Sequence, residues 1–164
     1  MWDRNFIAAL SKAAESVFER SGRSVSIDQL IEVQPELFRA AQKCYLAFKK
    51  YSREICIRDG LIRIALSVLR GRKPALDLYA FVEASYSKNT KLFLVWFEKK
   101  LCFMIRGENN RLLKEMMPAF EKLGLKKGPE IPIEKLRFLS YLYDESKVEE
   151  VARNLAIFRV LFGD

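Results

Sequence analysis

The segment Thr90–Arg106 constrains the fold of this chain more than any other stretch. Leu92, Phe93, Leu94, Val95, Trp96, Phe97, Leu101, Phe103, Met104 and Ile105 crowd it. Wound at 100° per residue, they leave almost no polar face. A helix that is apolar all round is either central to a bundle or buried twice, once by its own core and once by a partner. The sequence therefore predicts a buried helix over 90–106, stopped by Gly107, with other helices packed around it.

The flanking sequence has helical spacing too. Half of the 164 residues are apolar, enough for one domain with a sizeable core. Phe6, Ile7, Leu10, Ala14, Val17 and Phe18 form a first stripe, with Asp3 placed as its N-cap and residues 21–24 ending it. Ser26 and Gln29 have capping-box spacing, and Pro35 suits the first turn of the next helix. That helix sets Leu37, Phe38, Ala41, Cys44, Tyr45, Phe48 and Tyr51 on one face. A break near Asp59-Gly60 is expected, with Asp59 capping a helix over 61–70 and Gly71 stopping it. Further helices are expected from Pro74 to about Tyr86 and around Leu112, Leu113, Met116 and Phe120. The latter is kinked or broken before Pro118 and ended by Gly124. Residues 126–132 read as a linker, followed by helices at about 133–143 and 147–162, with Ser146 and Glu149 spaced as a capping box. The expected fold is all-α: a bundle of about eight or nine helices. Its core is 1–125, with a C-terminal helical pair, 133–164, packed on it in a single domain.

Composition narrows the chemistry. The chain has no histidine, which removes Ser-His-Asp and Cys-His catalysis and most zinc sites. Its three cysteines include no CxxC pair, so Cys44 and Cys102, set among apolar residues, are expected to be buried small hydrophobes. Asp144, Glu145, Glu149 and Glu150 fit a first-turn acid cluster better than a metal site, so neither metal nor cofactor is expected. No apolar run nears the roughly 18 residues that span a bilayer, and no apolar signal core follows the N-terminus. A soluble, cytoplasmic protein without a membrane partner is expected.

The charge is localised. The chain's net charge is +8, and residues 39–73 account for all of it. They hold Arg39, Lys43, Lys49, Lys50, Arg53, Arg58, Arg63, Arg70, Arg72 and Lys73 against only Glu54 and Asp59. So few acids cannot pair these cations along a helix. On the helix from Pro35, Arg39, Lys43, Lys50 and Arg53 fall opposite the apolar stripe, where Leu46 joins them. A localised basic patch is the footprint of a polyanion, usually nucleic acid. No base-reading motif accompanies it, so contact through phosphates, independent of sequence, is expected.

One segment resembles a known family. Phe81-Val82-Glu83-Ala84, Ser87-Lys88, Lys91-Leu92-Phe93-Leu94, Phe97-Glu98 and Gly107 resemble the C-terminal part of the small all-helical subunits of type III CRISPR–Cas effector complexes. The Csm type is nearest. Asp59-Gly60-Leu61, with Ala65-Leu66 beyond, resembles the Cmr-type subunit faintly. The resemblance implies a non-catalytic antiviral-defence subunit, stacked in copies along a groove that holds a guide RNA–target duplex.

The expected function is thus a non-enzymatic, RNA-binding subunit of a ribonucleoprotein complex, beside other subunits or copies of itself. Its ligand would be RNA or an RNA–DNA duplex. The rival readings are a helical interaction module whose basic face docks an acidic protein, and an enzyme that works without histidine. If about four to six phosphates are neutralised, log K should fall with log salt at a slope near −3 to −5. A flat response in a salt titration would exclude the basic patch as the contact. Lys43→Glu, Lys50→Glu and Arg53→Glu together should abolish binding and spare the fold. The same charge change at Lys114, Lys122 and Lys135 should matter less.

Overall fold

The computed structural model describes residues 1–107, 110–131, 133 and 138–162. Its elements in chain order are α1 (Arg4–Ser21), α2 (Ile27–Val33), α3 (Pro35–Tyr51), β1 (Glu54–Ile57), α4 (Asp59–Leu69), β2 (Leu78–Ser85), β3 (Lys91–Phe97), β4 (Lys100–Arg106), α5 (Asn110–Lys122), β5 (Phe138–Leu142) and α6 (Val148–Phe162). The strands form one antiparallel sheet in the order β1-β2-β3-β4-β5. The expected all-α bundle of eight or nine helices, with a helical C-terminal appendage, is therefore overturned.

The reason lies in how β3 and β4 are buried. Leu92, Leu94, Phe103 and Ile105 face the main core, which the helices complete. Val95, Phe97, Cys102 and Met104 face a second, smaller apolar layer closed by Ile131. Strands buried on both faces lose the polar–apolar alternation that identifies a half-exposed strand. The run that looks like a helix apolar on every side is a hairpin apolar on both faces. Its turn is equally hidden. Glu98 and Lys99 both have positive φ (48° and 63°), as a two-residue type I′ hairpin turn requires. The usual Asn-Gly signal is missing from the sequence.

Two more expected helices are strands. The stretch from Pro74 to Tyr86 contains β2, where a register shift between Ala80 and Val82 blurs the alternation. The expected helix at 133–143 overlaps β5, with residues 134–137 lying outside the described residues. The segment resembling the all-helical effector subunits, Phe81 to Gly107, is made of β2, β3 and β4. The helical fold which that resemblance implies is not the fold of this chain.

The other helices are close to expectation. The Asp3 side chain accepts from Phe6 N at 2.9 Å, the Ser26–Gln29 box is formed, and Pro35 opens α3. Gly71, at φ +64°, ends the last turn of α4. Four details differ. α3 ends at Tyr51, so Arg53 lies beyond the helix, and residues 54–57, expected to continue the helical path to a break near Asp59-Gly60, form the edge strand β1. Arg58, not Asp59, is the N-cap of α4, and it makes no side-chain cap bond. α5 runs through Pro118 unbroken; Pro118 and Lys114 are both exposed, so the backbone group that proline leaves unpaired can meet water. Ser146 does not form its box, because Lys50 and Tyr51 engage Glu149 while Asp144 caps the preceding 3₁₀ turn.

Helix α3 is the spine of the helical layer, burying Phe38, Ala41, Cys44 and Phe48 completely. α1, α2 and α4 pack together, while α3 also meets β1, β2 and α6. Leu46 stands exposed, as expected. α4 is seated on the sheet through Gly60, where a Cβ would overlap the backbone carbonyl and amide of Ala80 in β2. Arg58 N–H donates to Phe81 O (2.9 Å) beside it. Gly60→Ala should therefore destabilise the protein by about 1–3 kcal/mol through overpacking. That outweighs alanine's helix-propensity advantage of at most about 1 kcal/mol. Urea unfolding measures it, and an unchanged or raised midpoint would contradict the close approach.

Candidate nucleic-acid interface

The C-terminal turn of α1, the second half of α4 and the segment that joins α4 to β2 border an open cleft of about 430 Å³. Five cationic residues line it: Arg20, Arg63, Arg70, Arg72 and Lys73. Its apolar lining comes from Val17, Leu66, Leu76 and Tyr79. Tyr79 is buried, and its hydroxyl accepts from Leu76 N–H at 3.0 Å, which ties the joining segment to β2.

The end of α4 shapes the cationic rim. Gly71 N–H donates to Val68 O (3.0 Å) and Arg72 N–H to Ser67 O (2.8 Å), a Schellman closure with glycine in the left-handed conformation. The chain turns at once, so Arg70 and Arg72 flank one tight reversal. α1 ends likewise on Gly22, whose N–H donates to Phe18 O.

One acid stands beside the site, paired with two of its cations but not part of its lining. Asp59 Oδ2 accepts from Arg20 Nη2 at 2.9 Å, and Arg63 Nε lies 3.8 Å from the same oxygen. Burial alone would raise the Asp59 carboxyl. Hydrogen bonds from Arg20 and its own backbone, with the charges of Arg63 and Arg20, outweigh burial and hold it below its ordinary value. Among the described residues, no carboxylate lies within ion-pair distance of Arg70, Arg72 or Lys73.

The five cations outnumber the negative charge set beside them. A helix C-terminus carries roughly −0.5 of a charge. The ends of α1 and α4, with Asp59, together oppose the five cations with about −2. About +3 is left over, concentrated on one concavity. The basic surface continues around α4: Arg58 and Arg63 line an adjoining hollow, and Lys12, Arg20 and Arg58 line another against β1.

The ten expected site residues thus divide. Arg63, Arg70, Arg72 and Lys73 converge on the concavity. Arg58 stands at its margin, 3.6 Å from Glu83, which Lys91 also pairs at 3.2 Å. Arg39, Lys43, Lys49, Lys50 and Arg53 belong to α3 and the residues just after it, all exposed, on none of these hollows. Two of those five are engaged: Lys50 pairs with Glu149 at 3.1 Å, and Lys49 sits over the Tyr45 ring. Arg20 was not among the expected residues. Nothing local marks it, because its own helix is nearly balanced in charge; only the packing of α1 on α4 delivers it. Lys135, expected as a control position, lies outside the described residues.

The remaining candidates have other chemistry. Cys44 and Cys102 are buried, as expected. Cys56 is exposed, but burial of its thiol and the charge of Glu83 push its pKa up, so it is no activated thiolate. A hollow of about 620 Å³ beside α5 and β5 is lined by Met117, Leu125, Ile131 and Phe138 and edged by three glutamates and one lysine. Among the described residues, no group of three or more acids and cysteines is placed to hold a metal ion, and no helix is long and apolar enough to cross a membrane. Comparison with known protein families, curated proteins and solved structures gives no match.

Asp59 ionises more readily in the folded chain than in the unfolded one. Its pairing thus stabilises the fold above the unfolded carboxyl pKa, about 4, and is lost as pH falls through the lower folded value. Asp59→Asn should cost up to about 1 kcal/mol at neutral pH. The gap between variant and parent should shrink below about pH 4, as urea midpoints at both pH values would reveal. A gap that persists in acid would mean that the carboxylate charge is not its source.

Proposed function

We propose that this protein is a non-catalytic module that binds nucleic acid, RNA foremost, through its phosphates and without reading base sequence. The observation that carries this reading is the convergence of Arg20, Arg63, Arg70, Arg72 and Lys73, from three separate parts of the chain, on one concavity. Cations scattered for solubility have no reason to meet. Guanidinium groups offer forked donors that match phosphate oxygens, and four of the five are arginines. The basic margin formed by Lys12 and Arg58 extends the track beyond a single phosphate. Each phosphate neutralised releases counterions, which is the main source of sequence-independent affinity.

A place within a larger assembly fits the end of α6. Ile157, Val160 and Leu161 stay exposed at the end of α6, at 47, 75 and 65%. An apolar surface of this kind suits contact with a protein neighbour.

The decisive comparison is between two triple charge reversals. Arg63→Glu, Arg70→Glu and Arg72→Glu alter the concavity. Lys43→Glu, Lys50→Glu and Arg53→Glu alter the α3 strip by the same charge. Fluorescence anisotropy with a 20-nucleotide RNA should give a loss beyond tenfold for the first triple and a smaller loss for the second. Circular dichroism checks that both remain folded. Equal losses would mean that net charge alone attracts the RNA. If an acidic polypeptide binds as tightly as RNA, the acidic-protein reading replaces this one.

A further inference from the structure

We infer that the concavity lined by Arg20, Arg63, Arg70, Arg72 and Lys73 receives the terminal phosphomonoester of a nucleic-acid strand. This rests on the phosphate-binding reading above and narrows it. An internal phosphodiester carries one negative charge. A terminal phosphomonoester carries between −1.5 and −2 at neutral pH, because its second ionisation lies near pH 6.

Three features favour the terminus. The first is shape. The site is concave, with walls from α1, α4 and the segment joining α4 to β2, and its volume of about 430 Å³ falls within the range of roughly 300–1,000 Å³ typical of small-ligand pockets. The second is composition. The cations stand with Val17, Leu66, Leu76 and Tyr79, so an apolar lining is available to the sugar or base of one terminal nucleotide. The third is Asp59. Its carboxylate already holds Arg20 at 2.9 Å and approaches Arg63 at 3.8 Å. A phosphodiester offers those two arginines the same single charge that Asp59 gives them, and so gains little by competing. A dianion offers them more. Asp59 therefore acts as a built-in competitor that sets a threshold of charge for the ligand.

The pH dependence follows from the ligand. The ionisable groups around the site are the five cations, Tyr79 and Asp59. Asp59 is held below its ordinary value, and the chain has no histidine. Between about pH 5.5 and 7.5 the group that changes charge is the phosphomonoester.

The test uses one 12-nucleotide RNA in three forms: with a 5′-phosphate, with a 3′-phosphate, and with hydroxyls at both ends. Each carries a fluorescent label at an internal position, and binding to the full chain is followed by anisotropy. At pH 7.5 one phosphorylated form should bind at least tenfold tighter than the hydroxyl form, and at pH 5.5 this advantage should fall to about threefold or less. Arg70→Gln with Arg72→Gln should remove the advantage, while Arg39→Gln with Lys43→Gln should leave it. Asp59→Asn should narrow it by tightening the hydroxyl form; an unchanged or wider ratio would overturn the role given to Asp59. Equal affinities for all three forms would overturn end recognition and leave the broader phosphate reading standing. Failure of every form to bind would sink both. A free 5′-mononucleotide that displaces the phosphorylated RNA at equal concentration would overturn a strand end in favour of a small nucleotide ligand.

Discussion

The seating of α4 on β2 sets the position of the candidate site. Gly60 lets the first turn of the helix lie against the Ala80 backbone, closer than any side chain would permit. The Arg58 N–H bond to Phe81 O holds the approach from the adjoining strand end. From that point the sequence order does the rest. Asp59 and Arg63 lie one turn apart, and the helix ends eleven residues after it begins, in the reversal that carries Arg70 and Arg72. α1 packs across the same helix and adds Arg20.

The sheet supports this seating. β2 is held by β1 on one side and β3 on the other, and its inner face places Phe81 and Ala84 in the main core. The β3–β4 hairpin behind it is packed on both faces, so the platform under α4 is a wall buried from two sides. A layer of helices on one face alone would leave Val95, Phe97, Cys102 and Met104 in water. The second apolar layer, closed by Ile131, prevents this. On the main-core face, Tyr86, just past the end of β2, ties the sheet to α6 through a bond from its hydroxyl to Ala152 O at 2.8 Å.

The two groups of cations now differ in kind. Those on α3 are what a buried spine helix shows on its wet side, and Lys50 is partly occupied by Glu149. Those around α4 share one concavity, and the Asp59 carboxylate pairs with two of them from beside it. Position in sequence joins the two groups, since both lie between residues 39 and 73. Position in space separates their chemistry.

Local signals sufficed for the helices that are amphipathic or plainly capped. Asp3, the Ser26–Gln29 box, Pro35 and Gly71 act within one or two turns of themselves, so short-range geometry decides their roles. The absence of histidine and the location of the charge excess were likewise legible, because they need no coordinates. The strands were not. Burial on both faces erased the alternation of β3 and β4, a register shift blurred β2, and Glu98-Lys99 turned the hairpin without a recognisable turn residue. Nor could the sequence gather the site. Arg20 and Asp59 are 39 residues apart, and only the packing of α1 on α4 makes them neighbours. The sequence by itself determined which residues are charged, which segments cap and where the core stripes of the outer helices run. The tertiary structure decided strand against helix in the most apolar segment, and which cations line one concavity, because both depend on partners that lie far away along the chain.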